Sequence, residues 1–167
     1  HYLDESPAGM ATICLQSSAG GIFAGDTLNA RFNAGPGSQA HVTSQASTVV
    51  HTMTNSCAET NVLIRVGEKA LFEYLPDPLI LFPKANLAAR LRLEIDESST
   101  VLLCDSYLTH DPHKNSGYFS QFANEIKITD KHGSLLCLDR SVIGGADFSR
   151  NEIGIMGAGR VIGTFYY

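Results

Sequence analysis

The chain has 167 residues, 44% apolar and 17% charged, with a net charge of −5 from 12 basic and 17 acidic side chains. That is enough chain for one globular domain with a sizeable core, and it is too apolar for a disordered polymer. No basic cluster suits a nucleic-acid backbone and no apolar run approaches bilayer length, so neither nucleic acid nor a membrane is an expected partner.

Residues 17–26 read Ser-Ser-Ala-Gly-Gly-Ile-Phe-Ala-Gly-Asp. Three glycines in so short a stretch rule out a stable helix, because each interior Gly costs roughly 1 kcal/mol relative to Ala. The segment reads as a tight turn or close backbone approach that buries Ile22 and Phe23 and orients Asp26. Residues 30–34 alternate apolar and polar side chains, turn at Gly35-Pro36-Gly37, and resume an apolar stretch at 40–44. Residues 45–53 have the length of two helical turns, although their β-branched side chains oppose a helix. Strand alternation returns at 62–66, turns at 66–69 and continues at 70–74.

Leu75-Pro76-Asp77-Pro78 is extended by its prolines, and the apolar run 79–82 behind it reads as core or as a surface for a partner. Residues 89–95 give the cleanest alternation, with charges on one face and aliphatic residues on the other. A turn at 96–99 leads to the apolar stretch 101–104. His110-Asp111-Pro112-His113 is a polar loop, and residues 116–122 form a second short helix candidate. Residues 125–129, a turn at 130–133 and residues 135–138 repeat the pattern. After Arg140 the text becomes turn-rich at 143–147 and 154–159. Residues 161–167 read as a strand whose apolar side chains imply a single domain, 1–167, incomplete at its C-terminus.

One unit, strand–turn–strand, is therefore written four times, with turn centres near Gly37, Gly67, Ser98 and Gly133, about 30 to 35 residues apart. The expected fold class is all-β: stacked strand–turn–strand repeats with at most one or two short helices. Two architectures fit, hairpins forming two packed sheets or a β-helix-like coil in which each unit adds a layer.

The candidate sites are few. Gly20-Gly21-x-x-x-Gly25 lacks the following helix and the Lys-Ser/Thr pair of a phosphate loop, and Asp26 would repel a phosphate, so a turn between strands is the better reading. His110 and His113 are candidate metal ligands, though Pro112 bars helical i,i+3 geometry and no third ligand stands at a persuasive spacing. Asp26, Glu73, Asp77 and Asp105 are the carboxylates nearest apolar or turn segments, and Asp26 and Asp77 suit bonding to backbone N–H groups. No catalytic residue is assigned. The four cysteines, Cys14, Cys57, Cys104 and Cys137, are widely separated without Cys-x-x-Cys, and no basic-then-apolar leader opens the sequence. Buried free thiols in a reducing cytoplasm are expected.

Three ordered landmarks carry a resemblance. They are Gly20-Gly21-Ile22-Phe23-Ala24-Gly25-Asp26-Thr27-Leu28; Gly37-Ser38-Gln39-Ala40 with Thr43-Ser44-Gln45-Ala46-Ser47-Thr48; and Gly67 to Ala70 running into Leu71-Phe72-Glu73-Tyr74-Leu75-Pro76-Asp77-Pro78-Leu79-Ile80-Leu81-Phe82. In this order they resemble the urease accessory protein UreD family, called UreH in some systems, over most of residues 15–140. The chain departs from the family at 108–113 and 117–119, where a Gly-Arg stretch followed by Gly-Glu-x-Phe is common, and members are usually longer. The resemblance implies a nearly all-β, β-helical fold and a non-enzymatic scaffold or chaperone for metalloenzyme maturation. It implies UreF-like and UreG-like (GTPase) accessory proteins and apo-urease as partners, no permanent cofactor, transient nickel binding, and an internal path for nickel. Gly20, Gly21, Gly25, Asp26, Gln45, Leu75 and Pro76 are its structural or partner landmarks. A different class stands as the alternative: a β-solenoid or β-sandwich carbohydrate-active enzyme or binding module using polar loops with Asp105, His110 and His113.

Overall fold

Period-2 alternation decides the architecture, because each alternating segment has one face to bury and can do so only against a second sheet. The structure, a computed structural model, describes residues 2–3, 9–113, 117–148, 150, 152–154, 156–157, 159 and 161–167. Its strands are β1 Tyr2–Leu3, β2 Ala11–Leu15, β3 Thr27–Ala34, β4 Gln39–Ser44, β5 Val49–Val50, β6 Ala58–Val66, β7 Leu71–Tyr74, β8 Leu79–Leu81, β9 Asn86–Ile95, β10 Thr100–Thr109, β11 Gln121–Asp130, β12 Leu135–Gly144 and β13 Val161–Tyr166. Among the described residues the one helix is a single turn, α1 Gly145–Phe148. No helix there is long and apolar enough to cross a membrane.

The strands form two sheets. The first has the order β1-β2-β4-β7-β10-β8-β5, with β13 antiparallel on β10, and the second has the order β12-β11-β9-β6-β3. The two architectures left open by the sequence are both used. In the first three units the turn carries the chain from the second sheet to the first: β3 to β4, β6 to β7 and β9 to β10. Each strand then pairs in parallel with its counterpart one coil later, so Thr27 lies opposite Glu59, Ala58 opposite Leu87, and Asn86 opposite Gln121. The fourth unit, β11 to β12, is an antiparallel hairpin within the second sheet.

Turn chemistry separates the two cases. The coil turns close across themselves, as in Ser99 N to Asp96 O at 2.9 Å, and in addition send backbone donors to the neighbouring coil, as in Gly67 N to Ala34 O at 2.9 Å and Asp96 N to Val66 O at 3.0 Å. In the hairpin the donors close across the turn itself, from Asp130 N to Ser134 O at 3.0 Å, with Gly133 at φ +85°. Two rungs of the first sheet are interrupted. Residues 45–48 separate β4 from β5, and residues 75–78 separate β7 from β8, while β10 runs unbroken and pairs with both β7 and β8. Pro76 and Pro78 account for one interruption, since neither can donate to a ladder.

Apolar burial falls into two clusters. One, at the coil-turn end, contains Val42, Ile64, Phe72, Leu103 and Ile126; the other contains Ile22, Val50, Leu81, Leu87, Tyr107 and Phe122, closed by Phe119 and by Phe148 of α1. Phe72 and Phe122 are the largest fully buried side chains, and burying each is worth about 1.5–3 kcal/mol.

Several expectations need correction. Residues 45–53 are not helical: after an irregular stretch they form β5 and an extended exit, in line with Thr48, Val49 and Val50 being β-branched. The helix candidate at 116–122 is also extended, with Gln121 and Phe122 opening β11, while Ser116 lies outside the described residues. Phe23 is not buried with Ile22; it is 41% exposed and stacks on His51 at 4.2 Å between ring centroids. The run 79–82 is divided, with Leu81 in the core and Phe82 on the outer face against His51 and His110. All four cysteines are free; Cys57 is exposed and the others half-buried. In the turn-rich stretch 154–159, Ile155 and Ala158 lie outside the described residues.

Candidate functional site

A cavity of about 580 Å³ lies between the sheets, separating the two apolar clusters. Its origin is visible strand by strand. On β6, β9 and β11 the neighbouring inward positions are apolar, but at one level Thr60, Ala89 and Asn124 stand opposite one another. Ser141 of β12 continues that row. On the facing sheet the chain leaves the ladder at 45–48 and 75–78, and β10 carries Asp105 inward between Leu103 and Tyr107. Small or polar side chains at a shared level leave a gap that runs from the residues before β3 to β11.

The landmark segments line one wall of this gap; the second and third touch each other, and the first meets the strand that follows the second. Gly21, at φ +146°, sits so close to residues 49–51, just past the second segment, that a Cβ there would come within 2.4 Å of Val49 O and 2.9 Å of the His51 ring. Ile22 N donates to Val49 O at 2.8 Å and His51 N to Ile22 O at 2.9 Å. Gly20 O lies 3.3 Å from His51 Nε2, and Gly25 N donates to Cys57 O at 3.0 Å. Asp26 accepts Phe23 N on its carboxylate at 2.8 Å, while its carbonyl accepts Glu59 N at 2.8 Å. Gln45 receives the Gln16 side-chain amide and gives its N–H to Leu15 O at 3.0 Å. Leu75 donates its N–H to Val42 O at 2.8 Å and accepts Thr43 Oγ1 at 3.0 Å; Asp77 N donates to Ser44 Oγ at 2.8 Å. Pro76 lines the cavity beside Asp77.

Three of the four carboxylates singled out from the sequence, Asp26, Asp77 and Asp105, reach this cavity. Glu73 does not: it faces outward and pairs with His41 at 2.8 Å. Burial holds the Asp105 carboxyl above its ordinary range, the Asn124 amide that donates to it works the other way, and the nearby Asp139 carboxylate raises it further. The Tyr74 phenol is pushed up to about 12 by burial and then by Asp105, and Tyr107 likewise to about 12 by burial, Asp105 and Asp139. Tyr166 OH donates to Asp139 at 2.6 Å, and burial with that bond raises its phenol as well. Asn124, Asp139 and Tyr166 were absent from the sequence reading, and so was the burial of Asp105.

Carboxylate, amide and hydroxyl oxygens along a partly open cavity can hold a divalent cation loosely and exchange it, as oxygen donors bind first-row metals less tightly than thiolate or imidazole sets do. Among the described residues, no three His, Cys, Asp or Glu side chains converge into a tight metal cluster. His110 and His113 are not brought to the cavity. The His110 ring packs on Phe82 at 5.9 Å, and His113 N donates to Asp111 Oδ1 at 3.0 Å in an exposed turn.

Comparison with known proteins places this geometry in context. The family described as UreD urease accessory protein matches residues 1–167. "Urease accessory protein UreD 1" of Pseudomonas syringae pv. syringae (strain B728a) is 38% identical over 163 residues, covering 98% of this chain and 57% of that protein. Its counterpart in Pseudomonas syringae pv. tomato is 37% identical over the same shares. "Urease accessory protein UreD" of Bacillus cereus is 28% identical over 98% of this chain and 59% of its own length. The chain thus spans little more than half the length of these relatives.

Proposed function

This chain belongs to the UreD urease accessory protein family, and from that premise we propose that it is a non-enzymatic cytoplasmic scaffold that helps insert nickel into apo-urease, in a complex with a UreF-like protein and a UreG-like GTPase. The observation that supports this reading is the cavity between the sheets, with Asp26, Asp77 and Asp105 on its wall. Nickel is cargo here, not a resident cofactor. Asp77 is exposed and Asp26 half-buried, whereas Asp105 faces the interior from β10, so carboxylates stand both near the surface and on the inner wall. A cation would relieve the electrostatic cost of ionising Asp105 beside Asp139, and would exchange onward because among the described residues no third strong ligand converges on it.

In this reading Gly20, Gly21, Gly25, Gln45, Leu75 and Pro76 act as packing that keeps the wall open. His110 and His113 have no part in the path. The carbohydrate alternative loses its stated ground, since Asp105 lies on the interior face of a strand rather than in a polar loop with the two histidines. The test is the nickel content of urease purified from cells that express all maturation components with and without the full-length protein. The reading expects nickel-poor urease when it is missing; urease fully loaded in its absence would refute it.

A further inference from the structure

The outward face of the second sheet carries charge in an unequal pattern. Six of the chain's 12 Lys and Arg side chains stand on it: Arg31, Arg65, Arg90, Arg92, Lys127 and Arg140. Three glutamates share the face, and each is matched to one cation: Glu59 with Arg90 at 3.0 Å, Glu94 with Arg65 at 3.4 Å, and Glu125 with Arg140 at 2.6 Å. The remaining three cations, Arg31, Arg92 and Lys127, are exposed and make no ion pair among the described residues.

Those three occupy a single line across the sheet. Arg31 lies opposite Leu63, Leu63 opposite Arg92, Arg92 opposite Lys127, and Lys127 opposite Leu138. At a strand spacing of about 4.8 Å the line runs some ~19 Å from Arg31 to Leu138. Like charges directly opposite each other weaken a sheet, so the Arg92–Lys127 pairing is unfavourable in the isolated chain. A depression of about 260 Å³ opens on the line, with Arg31, Arg90 and Arg92 at its rim and Asn29, Asn61 and Leu63 beneath. Beyond Lys127 the face turns apolar, with Leu136, Leu138 and Val142 of β12 all exposed.

We propose that this face docks an acidic protein segment, with a carboxylate side chain seated between the Arg31 and Arg92 guanidinium groups and apolar neighbours resting on Leu138 and Val142. Guanidinium forks suit carboxylates bidentately, and the segment would supply the charge that the Arg31–Arg92–Lys127 line lacks. A nucleic-acid strand fits less well: the chain as a whole is acidic, and a phosphate backbone gains nothing from the apolar end of the face. The depression shares Asn29, Asn61 and Arg90 with the lining of the cavity, whereas Arg31, Arg92 and Lys127 stand outside that lining.

Binding of fluorescent poly-L-glutamate and of an oligothymidylate of equal length tests this on the full-length protein by anisotropy, at low and high salt. The double variant Arg31→Glu/Arg92→Glu is expected to weaken poly-L-glutamate binding on the order of tenfold. Lys69→Glu/Lys84→Glu, which changes net charge equally elsewhere, is expected to leave it nearly intact. Both altered arginines are exposed, and should the charge reversal disturb folding, Arg31→Gln/Arg92→Gln carries the same test. Equal loss in the lysine control, no loss in either arginine variant, or tighter binding of the oligothymidylate would each overturn the proposal.

Discussion

Replacing Gly21 by alanine probes the contact that joins the first landmark segment to β5 and His51, just past the second. The backbone there has φ +146°, a region essentially confined to glycine, and placing a side chain in it costs about 1–3 kcal/mol. The new Cβ would also stand 2.4 Å from Val49 O and 2.9 Å from the His51 ring, so the strands must separate. That movement strains the bonds Ile22 N to Val49 O and His51 N to Ile22 O, each worth about 1 kcal/mol. The total is a destabilisation of about 3–5 kcal/mol, read as a lower urea midpoint at unchanged slope. Gly20→Ala is the internal control: its φ is +76° but nothing lies within 4 Å of a Cβ, so only about 1–2 kcal/mol of left-handed strain is expected. Equal costs at Gly20 and Gly21, or a Gly21→Ala protein as stable as its parent, would refute the close-approach argument.

Other outcomes follow from the same structure. Asp105 has its folded-state pKa raised, so the unfolded chain ionises first and the fold loses stability as pH rises out of the acid range; Asp105→Asn should be at least as stable at pH 7 and flatten that pH dependence, while lowering nickel delivery to urease. Asp96 is the opposite case, held well below the ordinary carboxylate range by hydrogen bonds from Ser98 Oγ and N and from Lys131. Its stabilisation is present above the unfolded carboxyl range and lost as pH falls through about 4 and below, so Asp96→Ala should lower the urea midpoint at pH 7 and lose that effect in acid. His110→Ala and His113→Ala, measured by nickel titration, should leave affinity unchanged, since neither ring reaches the cavity.

Much of the fold was legible because alternation reports which face a residue occupies. The run 89–95 became the core of β9, and the turns at 96–99 and 130–133 lie where glycine, serine and aspartate suggested. Alternation says nothing about which strand is the neighbour, and so coil and hairpin could not be told apart. That choice rests on whether turn donors reach the next coil in addition to closing the turn. The cavity had a readable signal that went unused. Leu103-x-Asp105-x-Tyr107, Phe122-x-Asn124-x-Ile126 and Cys137-x-Asp139-x-Ser141 each place a polar residue at an inward position of a period-2 run. Extending the alternation through those residues, instead of stopping at the first polar one, puts Asp105, Asn124 and Asp139 inside. Tyr166 could not be found this way, because its role depends on β13 returning antiparallel to β10. The landmarks were found as a linear order, and their convergence on one wall required the coil stacking.

The central claim is that the cavity between the sheets is the route by which this protein supports urease maturation. Ala89 lies at the level of the gap and lines the cavity, so a phenyl ring there would occupy part of it. The most direct measurement is therefore the nickel bound per active site in urease matured with full-length protein carrying Ala89→Phe, alongside the urea midpoint and partner binding of the same variant. The account predicts a folded protein that still assembles with its partners yet yields nickel-poor urease. Urease loaded to the parental level by the plugged variant would contradict it.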